Sequence, residues 1–173
     1  MVIAEPMEPA ISRLSAPTIS VIGGNTADGR ISAMAHEVGE RLAKAGATLV
    51  CGGLGGVMES ACKGARSAGG LTVGILPGLD RSAANPYVQV AVPTGLGLVR
   101  NNLVVFSGDA VIAVDGKYGT LNEMTVALNH GIPVVSLHSW DLTKSGVDPS
   151  DLHLVETPEE AVGLALKLAG GRK

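Results

Sequence analysis

Aromatic side chains are scarce in this sequence of 173 residues, where Phe, Trp and Tyr together make up 2%. So few rings argue against a surface on which single-stranded nucleic acid could stack its bases. The formal net charge of -3 supplies no basic patch for a phosphate backbone either. We therefore expect no nucleic-acid partner.

Cysteine is equally rare, and the spacing of Cys51 and Cys62 fits neither a metal site nor a disulfide framework. The histidines are not spaced with carboxylates as metal ligands would be, so no metal site is predicted. No apolar run approaches the roughly 20 residues of a membrane span. Residues 1–17 lack a signal peptide's basic start and apolar core, and we interpret them as a flexible N-terminal arm. A cytoplasmic protein with no membrane partner is the expectation.

Short apolar segments and helical patterns alternate through the rest of the chain. Hydrophobic residues make up 46% of it, and 24 glycines supply tight turns. Strands are predicted at 18–22, 48–51, 71–76, 87–92, 109–114 and 134–137, and helices at 31–45, 57–68, 98–107, 120–131 and 157–170. Residues 139–156 are predicted to be a loop. This order predicts one α/β domain over residues 18–173, with a Rossmann-like, doubly wound, mostly parallel sheet and helices on both faces.

Glycine-rich segments follow three of the predicted strands, at 23–25, 52–56 and 116–119. Ligands of such sheets bind at the carboxyl ends of the strands, where free N–H groups of loops and helix starts attract anions. The segments match neither a dinucleotide fingerprint, because Met58 replaces the third glycine, nor a P-loop, because Tyr118 follows Lys117. We therefore predict a small phosphate ligand, such as a nucleoside 5′-monophosphate. The candidate ligand-binding residues are Gly24, Gly52, Gly53, Gly55, Gly56, Met58, Asn101, Gly116, Lys117, Gly119 and Thr120.

The segment from Asp115 to Glu123 allows two interpretations. Thr120 and Glu123 have the spacing of a capping box, in which each side chain bonds the other residue's backbone N–H. Alternatively, the carboxylate of Glu123 faces the ligand at a helix N-terminus. We expect Glu123 in the first helical turn to be ionised, since the helix N-terminus and Arg100 both favour its charged form.

Several motifs together resemble the LOG-like superfamily, which holds the LONELY GUY cytokinin-activating phosphoribohydrolases and the molybdenum cofactor carrier proteins. They are the stretches 50–59 and 69–78, the pair Arg100-Asn101, and 116–123. The hydrolases share the pattern P-G-G-x-G-T-x-x-E, which Gly116, Gly119, Thr120 and Glu123 match. Asp115 replaces its proline and Lys117 its second glycine. The Arg-Asn pair and the short chain are closer to the carrier-like branch.

The resemblance implies two functions. In one, Arg100 and Glu123 are catalytic and the protein cleaves the N-glycosidic bond of a nucleoside 5′-monophosphate, releasing free base and ribose 5-phosphate without a required cofactor. In the other, the protein is a non-catalytic carrier whose ligand is the molybdenum cofactor, a pterin phosphate. Asn101, where the hydrolases carry a second basic residue, favours the carrier. The resemblance also implies a homodimer or a higher homo-oligomer.

Overall fold

A computed structural model describes residues 16–145 and 150–171 of the chain. Its seven strands form one sheet in the order β4-β3-β2-β1-β5-β6-β7. The strand pairings in the described ranges are parallel. The strands are β1 Thr18–Gly23, β2 Thr48–Cys51, β3 Thr72–Leu76, β4 Val90–Pro93, β5 Ala110–Val114, β6 Val134–Leu137 and β7 Leu152–Val155. The predicted α/β fold with a parallel sheet is confirmed.

Helices cover both faces of this sheet. They are α1 Gly29–Lys44, α2 Val57–Ser67, α3 Arg100–Phe106, α4 Tyr118–Asn129 and α5 Pro158–Ala169. Helices α1, α2 and α5 pack on one face, and α3 and α4 pack on the other. Every residue of β5 is buried, with Ile112 in one core cluster and Val111 in the other. A central strand of a doubly covered sheet is therefore apolar throughout instead of alternating. None of the helices in the described ranges has the length and apolarity needed to cross a membrane.

Most predicted elements lie within a few residues of the observed ones, but the interval 139–156 was predicted wrongly. It contains β7, which pairs in parallel with β6 at the sheet edge. The strand has only four residues, of which Leu152 alone is buried, and so short an apolar segment at a sheet edge was missed. The predicted strand at 87–92 is shifted to β4, and a 3-10 turn, Gly97–Val99, precedes α3. The predicted arm falls almost entirely outside the described residues, which begin at 16.

The strand order changes direction at β1: strands β2 to β4 lie on one side of it, and strands β5 to β7 lie on the other. Strand β1 pairs with β2 on one side and with β5 on the other. Helix α1, after β1, covers one face of the sheet, while α4, after β5, covers the opposite face. The loops after β1 and β5 diverge for this reason, and a crevice opens between their carboxyl ends.

Candidate functional site

A cavity of about 450 Å³ lies in this crevice and is called the switch-point cavity below. Its volume is in the range of small-molecule sites in proteins. The loop after β1, the start of α2, the start of α3 and the β5–α4 loop surround it. Its lining residues are Gly23, Gly24, Asn25, Thr26, Leu54, Met58, Leu98, Arg100, Asn101, Asp115, Lys117, Gly119, Thr120 and Glu123.

The first two glycine loops pack directly against each other. The N–H of Gly55 donates to Oδ1 of Asn25 at 3.1 Å, and the N–H of Val57 donates to the carbonyl of Gly24 at 3.0 Å. Gly56 has a φ of 62°, and a Cβ there would lie 2.6 Å from the backbone nitrogen of Thr26. A side chain at Gly56 would therefore push apart the two loops that form this wall.

The third loop is held in a left-handed conformation. Asp115 has a φ of 48° and Gly116 a φ of 107°. The N–H of Asp115 donates to the carbonyl of Leu137 at 3.2 Å, and its carbonyl accepts a hydrogen bond from the Ser139 hydroxyl. Proline holds φ near -65°, so the proline of the hydrolase pattern cannot adopt this backbone. The replacement of that proline by Asp115 therefore goes together with a loop conformation that the hydrolase pattern does not allow.

Helix α4 begins earlier than predicted, and the capping-box interpretation is wrong. The N-cap residue is Lys117, whose side chain forms no capping hydrogen bond within the described ranges. Thr120 and Glu123 both lie inside the helix, with Glu123 in its second turn. Their side chains are buried, Thr120 at 3% exposure and Glu123 at 7%. The carboxylate of Glu123 is thus free to face the cavity instead of closing the helix end.

Burial changes the chemistry of this carboxylate. It raises the pKa of Glu123 to about 7, and the opposing charge of Arg100 offsets only part of that effect. The expectation that Glu123 is fully ionised is therefore wrong, because desolvation outweighs the favourable charges. At neutral pH both the protonated and the ionised forms are populated.

Arg100 lies at the start of α3 with 6% of its surface exposed. Its Nη1 donates to Oδ1 of Asn101 at 2.9 Å, whereas its buried Nε has no hydrogen-bond partner among the described residues. Burial lowers the pKa of Arg100, and Glu123 counteracts this. A buried, unpaired N–H on a cation is costly, and a ligand atom in the cavity would relieve that cost.

Gly52 makes room for this guanidinium. A Cβ at position 52 would lie 2.8 Å from Nη2 of Arg100 and equally close to the sulfur of Met58. The predicted site glycines divide into three groups. Gly24 and Gly119 line the cavity, while Gly52, Gly53, Gly56 and Gly116 shape the loops behind it and Gly55 faces a neighbouring cavity.

The remaining predicted residues come together at the cavity, which is also lined by residues the sequence did not single out. Met58, Arg100, Asn101, Lys117, Thr120 and Glu123 all line it. Asn25 and Leu54 were detectable because they lie in the glycine-rich segments 23–25 and 52–56, whereas Thr26 and Leu98 gave no signal. Among the described residues, no group of three His, Cys, Asp or Glu side chains could hold a metal ion.

Comparison with known proteins identifies the family. The family model of the SLOG cluster4 family matches residues 16–162. The chain belongs to this family. One relative, an uncharacterised protein of Archaeoglobus fulgidus, is 42% identical over 86% of this chain and 93% of its own length. The cytokinin riboside 5'-monophosphate phosphoribohydrolase of Mycobacterium tuberculosis is 33% identical over 62% of each chain.

Solved structures place this SLOG member beside proteins that handle the molybdenum cofactor. The molybdenum cofactor binding protein of Rippkaea orientalis is 36% identical, with a TM-score of 0.79 over 86% of this chain and 94% of that one. The molybdenum cofactor carrier protein of Chlamydomonas reinhardtii is 33% identical, with a TM-score of 0.82 over 90% and 99%. The resemblance to the LOG-like superfamily is thereby confirmed.

Proposed function

We propose that this protein binds a phosphorylated pterin of the molybdenum cofactor type in the switch-point cavity and carries it unchanged. The observation that supports this most is the buried Nε of Arg100, which has no partner in the described part of the chain and borders the cavity. A polar ligand would satisfy it. Similarity to cofactor-handling proteins over nearly their whole length supports the same ligand class.

The phosphate of the ligand belongs at the start of α4. The first N–H groups of a helix have no acceptor within it and carry a partial positive charge. The exposed Lys117 stands at that helix end and lines the cavity, as do Gly119 and Thr120. An ammonium group there compensates for the glycine that the hydrolase pattern has at this position, because it attracts a phosphate directly.

Hydrolysis of a nucleoside 5′-monophosphate is the second candidate function, and the pKa of Glu123 favours it. A carboxyl group that titrates near 7 exchanges protons readily at neutral pH, as a general acid or base must. Its ionised form would stabilise positive charge at the anomeric carbon of the ribose. In this reaction water attacks that carbon, the C–N bond breaks, and the base leaves with a proton.

Native mass spectrometry of protein purified without oxygen tests the primary proposal. We expect a retained pterin phosphate in the wild type, loss of it in Arg100→Gln, and retention in the control Arg66→Gln, where an exposed arginine on α2 is changed. Circular dichroism checks that both variants are folded. A wild-type protein that neither retains nor takes up the cofactor contradicts the carrier function.

A nucleotide panel separates the two functions. The carrier proposal expects no free base from AMP, GMP or IMP after prolonged incubation. Release of base that disappears in Glu123→Ala would instead establish the hydrolase, since this change removes the carboxyl group but leaves Lys117 and the helix start in place.

A further inference from the structure

A second cavity adjoins the switch-point cavity and is called the side cavity below. It has a volume of about 370 Å³. Asn25 and Leu54 line both cavities, so the two meet along the first and second glycine loops. The other residues that line the side cavity are Gly55, Glu59, Ala83, Asn85 and Pro86.

One charged side chain lines the side cavity, the partly buried Glu59 in the first turn of α2. No hydrogen bond or ion pair engages its carboxylate within the described ranges. Asn85, by contrast, is already occupied, because its Nδ2 donates to the carbonyl of Leu54 at 2.9 Å and its Oδ1 accepts from the N–H of Tyr87 at 3.1 Å. Glu59 therefore supplies the charged acceptor that a ligand in this cavity would meet.

The charges of the two cavities determine the orientation in which a ligand binds. The switch-point cavity is lined by Asp115 and Glu123 but also by the cations Arg100 and Lys117 and the start of α4, which attract phosphate. Among the described residues, no cation lines the side cavity. The carboxylate of Glu59 repels phosphate from the side cavity and attracts N–H donors. Leu54, Ala83 and Pro86 add apolar surface against which a flat ring can lie.

We infer that Glu59 recognises the ring edge that pterins and guanine share, a ring N–H beside an exocyclic amino group. A carboxylate accepts two parallel N–H bonds from such an edge, as it does from a guanidinium. Adenine presents a ring nitrogen acceptor beside its amino group, and the lone pair of that acceptor repels the carboxylate. The inference rests on the proposed function, since it adds a specificity-determining residue to the same ligand site.

Isothermal titration calorimetry with four probes tests it: GMP, IMP, AMP and ribose 5-phosphate. The nucleotides share one ribose phosphate and differ at the ring edge, where IMP lacks the amino group. We expect the wild type to bind GMP most tightly, IMP less tightly and AMP most weakly. Glu59→Gln should weaken GMP binding roughly tenfold to hundredfold, the loss expected for hydrogen bonds to a charged group, and leave ribose 5-phosphate unchanged. The control Glu159→Gln, at the first turn of α5, should change none of the four affinities.

Binding of ribose 5-phosphate tests the phosphate site separately from the role of Glu59. If the wild type binds it and Lys117→Ala weakens that binding, the phosphate site stands. Equal affinities for GMP and AMP, or an unchanged GMP affinity in Glu59→Gln, then overturn the role of Glu59 alone. If no probe binds the wild type although the protein retains the cofactor, the role of Glu59 is wrong and the carrier function stands; if neither the probes nor the cofactor bind, both are wrong.

Discussion

Gly116 in the β5–α4 loop and Gly119 in the first turn of α4 differ in what they contribute. Gly116 has a φ of 107°, and a Cβ there would lie 2.5 Å from Cβ of Thr120. Gly116→Ala is therefore expected to lower the free energy of unfolding by about 1–3 kcal/mol, the range for a strained backbone position. It should also weaken phosphate binding, since Thr120 lines the cavity. Urea unfolding measures the first effect and calorimetry the second.

Gly119 provides the matched control one turn away. A Cβ at this position meets nothing within 4 Å, and the residue lies inside α4. Gly119→Ala is expected to raise stability by roughly 0.5–1 kcal/mol, because alanine is the better helix former. Equal losses of stability in the two variants would contradict this account of the loop.

Glu123 should make stability depend on pH in a defined window. Its pKa rises from 4.5 in the unfolded chain to about 7 in the folded protein. The unfolded chain therefore releases its proton first as pH increases, and the contribution of Glu123 to stability is full below 4.5 and lost by about 7. At 1.36 kcal/mol per pH unit the loss amounts to about 3 kcal/mol.

Glu123→Gln removes this titration. The stability of the variant relative to the wild type is expected to increase steadily from pH 4.5 to 7 and to stay constant above it, as measured by chemical unfolding at each pH. Glu159→Gln, where the side chain is 76% exposed, is the control for the same substitution outside the buried site. A difference between Glu123→Gln and wild type that is flat with pH would show that the carboxyl group titrates normally.

At the scale of elements, α1 and α2 pack through two glycines. A Cβ on Gly39 would lie 2.8 Å from the carbonyl carbon of Ala61, and one on Gly64 would lie 2.7 Å from that of His36. These neighbours are backbone atoms, so no side chain can rotate away. Gly64→Ala is expected to lower the free energy of unfolding by about 1–3 kcal/mol through overpacking, measured by urea denaturation.

Gly163 in α5 serves as the control for this helix pair, because nothing lies within 4 Å of a Cβ placed there. Gly163→Ala should be neutral or stabilising by up to roughly 1 kcal/mol. If both alanine variants behave alike, close approach of α1 and α2 is not what requires glycine at 64.

The elements also show which local patterns carry structural information. The Thr157 cap of α5 was predicted from Thr-Pro-Glu-Glu and is confirmed, with Glu160 bonding back to the Thr157 N–H at 3.1 Å. The same type of pattern at Thr120 and Glu123 was misleading, because the left-handed Gly116 lets α4 begin at Tyr118. Spacing alone does not distinguish a cap from two positions inside a helix.

At the scale of the whole molecule, an exposed apolar stripe supports the predicted homo-oligomer. Val99, Leu103 and Phe106 are spaced four and three residues apart, on one side of the helix that α3 and its preceding turn form, and are 65%, 39% and 47% exposed. Leu98, which lines the switch-point cavity, is 83% exposed beside them. A second copy of the chain covering this stripe would shield apolar surface next to the site.

Light scattering after gel filtration tests this prediction. The wild type is expected at a multiple of 17.5 kDa, and Val99→Glu is expected to shift it towards the monomer. Leu154→Glu, which places the same charge on the exposed side chain of β7 at the far sheet edge, should leave the mass unchanged. A monomeric wild type would contradict the prediction.

The sequence by itself determined the α/β fold, the parallel sheet and the position of the glycine loops after the strands, because periodicity and turn chemistry are local properties. It also singled out Arg100 and Glu123 as candidates. Only the tertiary structure decided that burial raises the pKa of Glu123 to about 7, that Nε of Arg100 has no partner in the described part of the chain, and that the cavity at Glu59 adjoins the cavity at Arg100. Burial and desolvation depend on neighbours that are distant in the chain, and no local pattern of residues records them.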